Sequence, residues 1–178
     1  SQEVLNKQLT SAQSFAKHSL VIADVLALLD LVMDDYGLSL EPHADLYFLM
    51  QGSLVHMPWL TEYLGQMRGQ GFSLLTARKI TEDDKLAFSV RVDNATQRVA
   101  SSELQAMKGL SSNPTFNEHL REPLRKAFAA ANTAVVSSRK QILEAAGREP
   151  SAQEYFDTAT KGVEAVYTGI SLANEQIN

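Results

Sequence analysis

The stretch SAQEYFDTATKGVEAVYTGISLANEQIN, Ser151–Asn178, carries the clearest periodicity in the chain. Phe156, Ala159, Val163, Val166, Ile170, Ala173 and Ile177 recur at alternating steps of three and four residues, which gathers them on one side of an α-helix. Ser151, followed three residues later by Glu154, is a capping-box signature that marks the helix start. A helix with one apolar stripe needs a partner for it, and the rest of the chain repeats the pattern.

Toward the N-terminus, GREP separates this segment from a helix predicted over about Thr115 to Ala146 and kinked near Pro123. Its inward residues are Phe116, Leu120, Leu124, Phe128, Ala131, Val135, Ser138 and Ile142. In the break GLSSNP, Asn113 is the expected cap and Pro114 the first helical residue. Thr81 and Asp84, with Glu82 and Asp83 near the positive helix end, open a helix over about Glu82 to Leu110. Its expected inner face is Leu86, Val90, Asp93, Gln97, Ala100, Leu104 and Met107. Within it FSVRVD alternates like a strand, but strong helix formers surround that string and the helical period spans it.

A further helix is predicted over about Ala44 to Thr76, with Met50, Leu54, Met57, Thr61, Leu64, Arg68, Gly71 and Leu75 on one stripe. Pro58 removes a backbone donor and predicts a kink. The first helix is predicted over about Glu3 to Tyr36, with Leu5, Leu9, Ala12, Ala16, Ser19, Ala23 and Leu26 together, and Gly37 ends it before the linker LSLEPHAD. The fold class is therefore all-α: one domain over residues 1–178, an elongated up-and-down bundle. Five long antiparallel segments would put the termini at opposite ends; a four-helix core with an additional short or kinked helix would change that parity, and the pattern fits both.

The composition narrows the function. A chain of 178 residues buries a shared core without a metal or disulfide, and 44% apolar content is wrong for disorder. With 21 acidic residues against 16 basic ones the net charge is -5, and there is no basic footprint for nucleic acid. Cysteine is absent, which excludes disulfides, thiolate catalysis and Cys-ligated zinc. LVIADVLALLDLVM, Leu20 to Met33, carries Asp24 and Asp30 and is shorter than the roughly 20 apolar residues of a bilayer span, so it reads as a buried helix stripe. The opening SQEVLNKQLT has no basic region feeding an apolar core, so no signal peptide is expected there.

No glycine-rich phosphate loop, GxSxG elbow or HExxH pair occurs, and His18, His43, His56 and His119 are widely spaced. A ferritin-like di-iron site needs Glu-x-x-His pairs, but Ala44 follows Glu41 and Arg121 follows Glu118 at that spacing. Asp34 with Asp35 and Asp83 with Asp84 read as solvated helix ends. Neither enzyme activity, cofactor nor metal is expected.

Polar residues on apolar faces are the candidate site. Arg68 shares a stripe with Leu64 and Leu75, and Tyr47 continues its edge; a guanidinium there needs a counter-charge, an exit to water or a bound anion. Asp93 is one candidate counter-charge. Arg91 and Arg98 lie seven residues apart near one side of their helix and, with Arg68, suggest a cationic patch for a carboxylate or oxyanion; solvated charge is the blander account. His56, Trp59 and Tyr63 fall on successive turns and would stack on a ligand, pack in the core or line an interface.

LEP at Leu40 to Pro42, LYFLM at Leu46 to Met50, MPWLTEYL at Met57 to Leu64 and GQMRGQG at Gly65 to Gly71 together make Gly37 to Gly71 resemble the extracytoplasmic sensory segment of bacterial methyl-accepting chemotaxis proteins. Glu41 and Phe48 depart from that pattern, and YFDTATKGVEAVY, Tyr155 to Tyr167, looks like the helix leading such domains to their second membrane span. The resemblance implies a periplasmic, homodimeric, non-enzymatic transducer domain held between flanking transmembrane helices, binding a small, anionic molecule such as an organic acid and signalling across the membrane. It carries over Tyr47 and Arg68; Arg91, Arg98, His56 and Trp59 rest on the residue pattern. A domain anchored at both ends should return its termini to one face. The competing expectation is a soluble helical protein-interaction or scaffold domain that uses Trp59, Tyr63 and nearby leucines.

Overall fold

The computed structural model describes residues 9–77, 80–144 and 151–177, and they are helical almost throughout. Helix α1 is Ser11–Asp35. Helix α2, Ala44–Met50, continues through a widened π turn, Gln51–His56, into α3, Met57–Thr76. Helix α4 is Glu82–Ser112; α5, Pro114–Ser138, ends in a second π turn, Arg139–Leu143; α6 is Ala152–Ile177. No described helix is long and apolar enough to cross a membrane.

Short polar residues set the boundaries. At the start of α4 the Asp84 N–H donates to Thr81 Oγ1 at 3.1 Å and the Thr81 N–H returns a bond to Asp84 Oδ2 at 2.9 Å. Asn113 Oδ1 accepts from the N–H groups of Thr115 and Phe116, with Pro114 in the first turn of α5. Gly37, at φ 69°, turns the chain out of α1 in the left-handed region. The predicted start at Glu3, with Leu5, lies outside the described residues, as do Ala146 and GREP. Helix α1 nonetheless does not run back through Leu9: Thr10 is extended, at φ -66° and ψ 160°, and forms a capping box with Gln13.

The kink expected at Pro58 takes a specific form. Proline lacks an N–H and crowds the carbonyl four residues back, and the π turn Gln51–His56 absorbs both defects just before it. The turn also keeps the inner face in phase: Leu49, Ser53 and Met57 are buried at steps of four before the ordinary alternation resumes at Leu60, Leu64 and Met67. Helix α5, in contrast, runs through Pro123 without interruption.

Four rods make the core: α2–α3, α4, α5 and α6. The sequence stripes of α5 and α6 face it. Leu120, Leu124, Phe128, Ala131, Val135, Ser138 and Ile142 are buried, as are Ala159, Val163, Val166 and Ala173. Helices α5 and α6 approach so closely that a Cβ on Gly162 would lie 2.9 Å from Ala134 Cβ.

Two expected faces are corrected. In α4 the buried residues are Phe88, Val92, Ala95, Val99, Ser102, Ala106, Gly109 and Leu110, whereas Leu86, Val90, Asp93, Gln97, Ala100 and Leu104 point outward. Small residues decide this: a Cβ on Gly109 would sit 2.9 Å from the Asp45 carbonyl and from the Leu49 nitrogen, so only that face lets α4 reach α2. In α1 the only fully buried side chain among the described residues is Met33. Ser19, Ala23 and Leu26 are half-buried against the core and Ala16 is exposed, so LVIADVLALLDLVM is not a buried stripe but a helix with one side uncovered.

The chain directions follow from the contacts. Phe15 lies beside Gly69 and Arg91, and His18 and Leu26 face Pro58 and Gly65, so α1 runs antiparallel to α3. Tyr155, early in α6, meets Met67 late in α3, while at the other end Asn113 bonds Asp45 and His119 lies 3.2 Å from Gln176. Helix α1 therefore begins at one end of the bundle and α6 finishes at the other, the parity of five rods and not that of returning termini.

Candidate functional site

Two crevices flank α3, and they divide the predicted site residues between them. On one side an opening of about 500 Å³ lies under α1, lined by Phe15, Ile22, Leu26, Arg68, Tyr167 and Ile170 among others. Arg68 is half-buried at its edge. Its Nη1 donates to Thr160 Oγ1 at 3.1 Å and its guanidinium lies 4.9 Å from the Phe156 ring centroid. The proposed pairing with Asp93 does not occur; Asp93 is exposed on α4 and takes Arg139 Nη2 at 2.7 Å.

On the other side, between α3 and α4, a crevice of about 320 Å³ is lined by His56, Tyr63, Asn94, Gln97, Arg98 and Ser101. The π turn ends at His56, and α4 carries Asn94, Gln97, Arg98 and Ser101 along one edge at helical spacing. Arg98 spreads over the Tyr63 ring, 5.5 Å from its centroid. Burial, reinforced by the Arg98 charge and opposed by that of Asp30, holds the His56 imidazole below its ordinary pKa of 6.5. Its Nδ1 is enclosed and has no hydrogen-bond partner among the described residues.

The three arginines therefore do not form one patch. Arg91 donates to Gln66 Oε1 and stacks 5.6 Å from Phe15, while Arg68 turns toward α6. Tyr47 packs edge-on to Phe48 near the start of α2, about 30 Å along the rod from Arg68 at 1.5 Å per residue, so these two residues cannot share a small ligand. Trp59 is half-buried and tilted against Tyr63 at 6.4 Å, outside the crevice lining. Of the six predicted residues, His56 and Arg98 come together. Asn94 and Ser101 were not singled out, although their places four before and three after Arg98 are the signal that groups them. Among the described residues no group of three or more His, Cys, Asp or Glu side chains is arranged to hold a metal ion.

The chain matches no family model, no curated protein and no solved structure at a significant level. The description of the chain as a chemotaxis transducer, a membrane-receptor fragment or a periplasmic methyl-accepting domain is therefore corrected. It rests on short strings in Gly37 to Gly71 and Tyr155 to Tyr167, without a matching family or fold.

Proposed function

We propose that this chain is a non-catalytic helical interaction or scaffold domain whose α1 receives an amphipathic helix from a partner protein. The uncovered side of α1 carries this reading. Leu20, Val21, Val25, Leu28, Leu31 and Val32 are between 41% and 65% exposed. A helix that is apolar all round belongs in an interior, and α1 has only one side covered. Val21, Val25, Leu28 and Val32 step by four, three and four, the spacing at which one helix accepts the side chains of another. Asp24 and Asp35, exposed beside the stripe of a chain with net charge -5, favour a partner helix with lysine or arginine along its flank. Tyr63 is covered by Arg98 and Trp59 is half-buried, which moves the expected contact surface from that pair to α1.

A photo-crosslinking side chain at Val25 tests this in cells of the source organism. The expected adduct maps to one face of an amphipathic helix in another protein and disappears when Leu28→Lys is added. An adduct only of the chain with itself, or none above that of the same probe at exposed Glu103, would sink the reading. A second reading, response to a small anion, is supported by the polar crevice at His56 and Arg98.

A further inference from the structure

Among the described arginines, five have a side-chain acceptor within the protein: Arg68 bonds Thr160, Arg91 bonds Gln66, Arg121 bonds Asn117, Arg125 bonds Glu122 and Arg139 bonds Asp93. Arg98 has none among the described residues. Its guanidinium lies over the face of Tyr63, which engages the plane and leaves the N–H edge for other partners. Half-buried, that edge is open to water and to an acceptor from outside the chain.

Among the described residues His56 Nδ1 is enclosed without a partner, and the exposed carboxamides of Asn94 and Gln97 stand at the rim of the same crevice. Ser101 Oγ donates to the Arg98 carbonyl at 3.2 Å and still has its lone pairs. No carboxylate lines this space of about 320 Å³, although the Asp30 charge on α1 acts on His56 from outside the lining. The planar fork of an arginine matches two oxygens of a carboxylate in parallel, which a solvated lysine in the same place would not do.

We infer that this crevice is a binding site for a small organic carboxylate, with Arg98 holding the carboxylate edge-on and Asn94 and Gln97 donating around it, beside the His56 ring. The Tyr63 ring orients the guanidinium from behind. The ligand is small, because the space sits at the lower end of small-molecule sites. Occupancy would tie the π turn that ends at His56 to the outer edge of α4. The inference goes beyond the α1 interaction surface and does not rest on it.

Titration calorimetry of the full chain with acetate, succinate and benzoate, at constant ionic strength, tests the site. At least one should bind saturably at one equivalent. Arg98→Gln should weaken that binding about tenfold or more, the loss of a hydrogen bond to a charged group. Asn94→Asp, at an exposed position that leaves packing alone, should weaken it too by placing a negative charge at the mouth. Arg125→Gln, on the outside of α5, should bind as the parent does. If Arg98→Gln fails to fold, the Asn94→Asp result decides. Absence of saturable binding by all three carboxylates overturns the proposal, and so does parental affinity in both crevice variants or binding of inorganic phosphate with no carboxylate.

Discussion

The phenol of Tyr155 sits where α3, α5 and α6 meet, 1% exposed, and its hydroxyl donates to the Met67 carbonyl at 2.8 Å. The space for it exists because residue 71 is glycine: a Cβ there would lie 2.2 Å from the Tyr155 oxygen. Burial pushes the phenol up to about 12 from its ordinary 10, against opposing influences from the Ser138 hydroxyl and the Arg68 charge. A folded-state pKa above the unfolded one means stability intact below pH 10 and lost as pH rises toward about 12. Tyr155→Phe should cost about 1 kcal/mol at neutral pH and flatten the alkaline loss, both read from urea midpoints across the pH series. Unchanged midpoints and slope would show that the hydroxyl contributes nothing. None of this was visible in the sequence, where Phe156, not Tyr155, fell on the expected stripe; the buried arc of α6 is wider than that stripe and takes in Tyr155, while Phe156 is half-buried against Phe72. The candidate site shows the same limit. Arg98 and His56 were legible as polar interruptions, but their convergence depends on which edge of α4 faces α3.

At the scale of the element, α4 and α1 differ from expectation for related reasons. Helix α4 carries two stripes at helical spacing, one through Leu86, Val90 and Leu104 and one through Phe88, Val92, Ala95 and Val99. Large apolar residues occur on both, and the first also carries Asp93 and Gln97. Close approach to α2 and α3 selects the second, because Ala95, Ala106 and Gly109 let the backbones meet. Helix α1 is apolar on more than one side, so periodicity cannot say which side is covered. Its attachment concentrates at Met33, 2% exposed, and Met33→Ala should destabilise the bundle by about 2–5 kcal/mol. Leu28→Lys, 58% exposed on the outward side, should stay within about 0.5 kcal/mol of the parent. Thermal melts compare the two directly, and an equal loss from both would mean that the outward stripe is packed after all.

For the whole molecule, the four-rod core and the appended α1 predict uneven protection. Amide hydrogen exchange should be slowest in α5 and α6, whose facing stripes are buried along most of their length, and should begin in α1, which opens without exposing the core. Uniform protection across all helices would contradict that hierarchy. The sequence by itself determined that the chain is helical, where α4, α5 and α6 begin, and which faces of α5 and α6 turn inward. Those features are local: capping atoms lie within three residues of what they cap, and a single strong apolar stripe has one way to be buried. Tertiary structure alone decided that α1 lies outside a four-rod core, which of two stripes α4 buries, and that His56 meets Arg98 rather than Arg68. Each of those depends on how closely two backbones pack, and that distance is set by small residues and a widened turn on separate helices acting together.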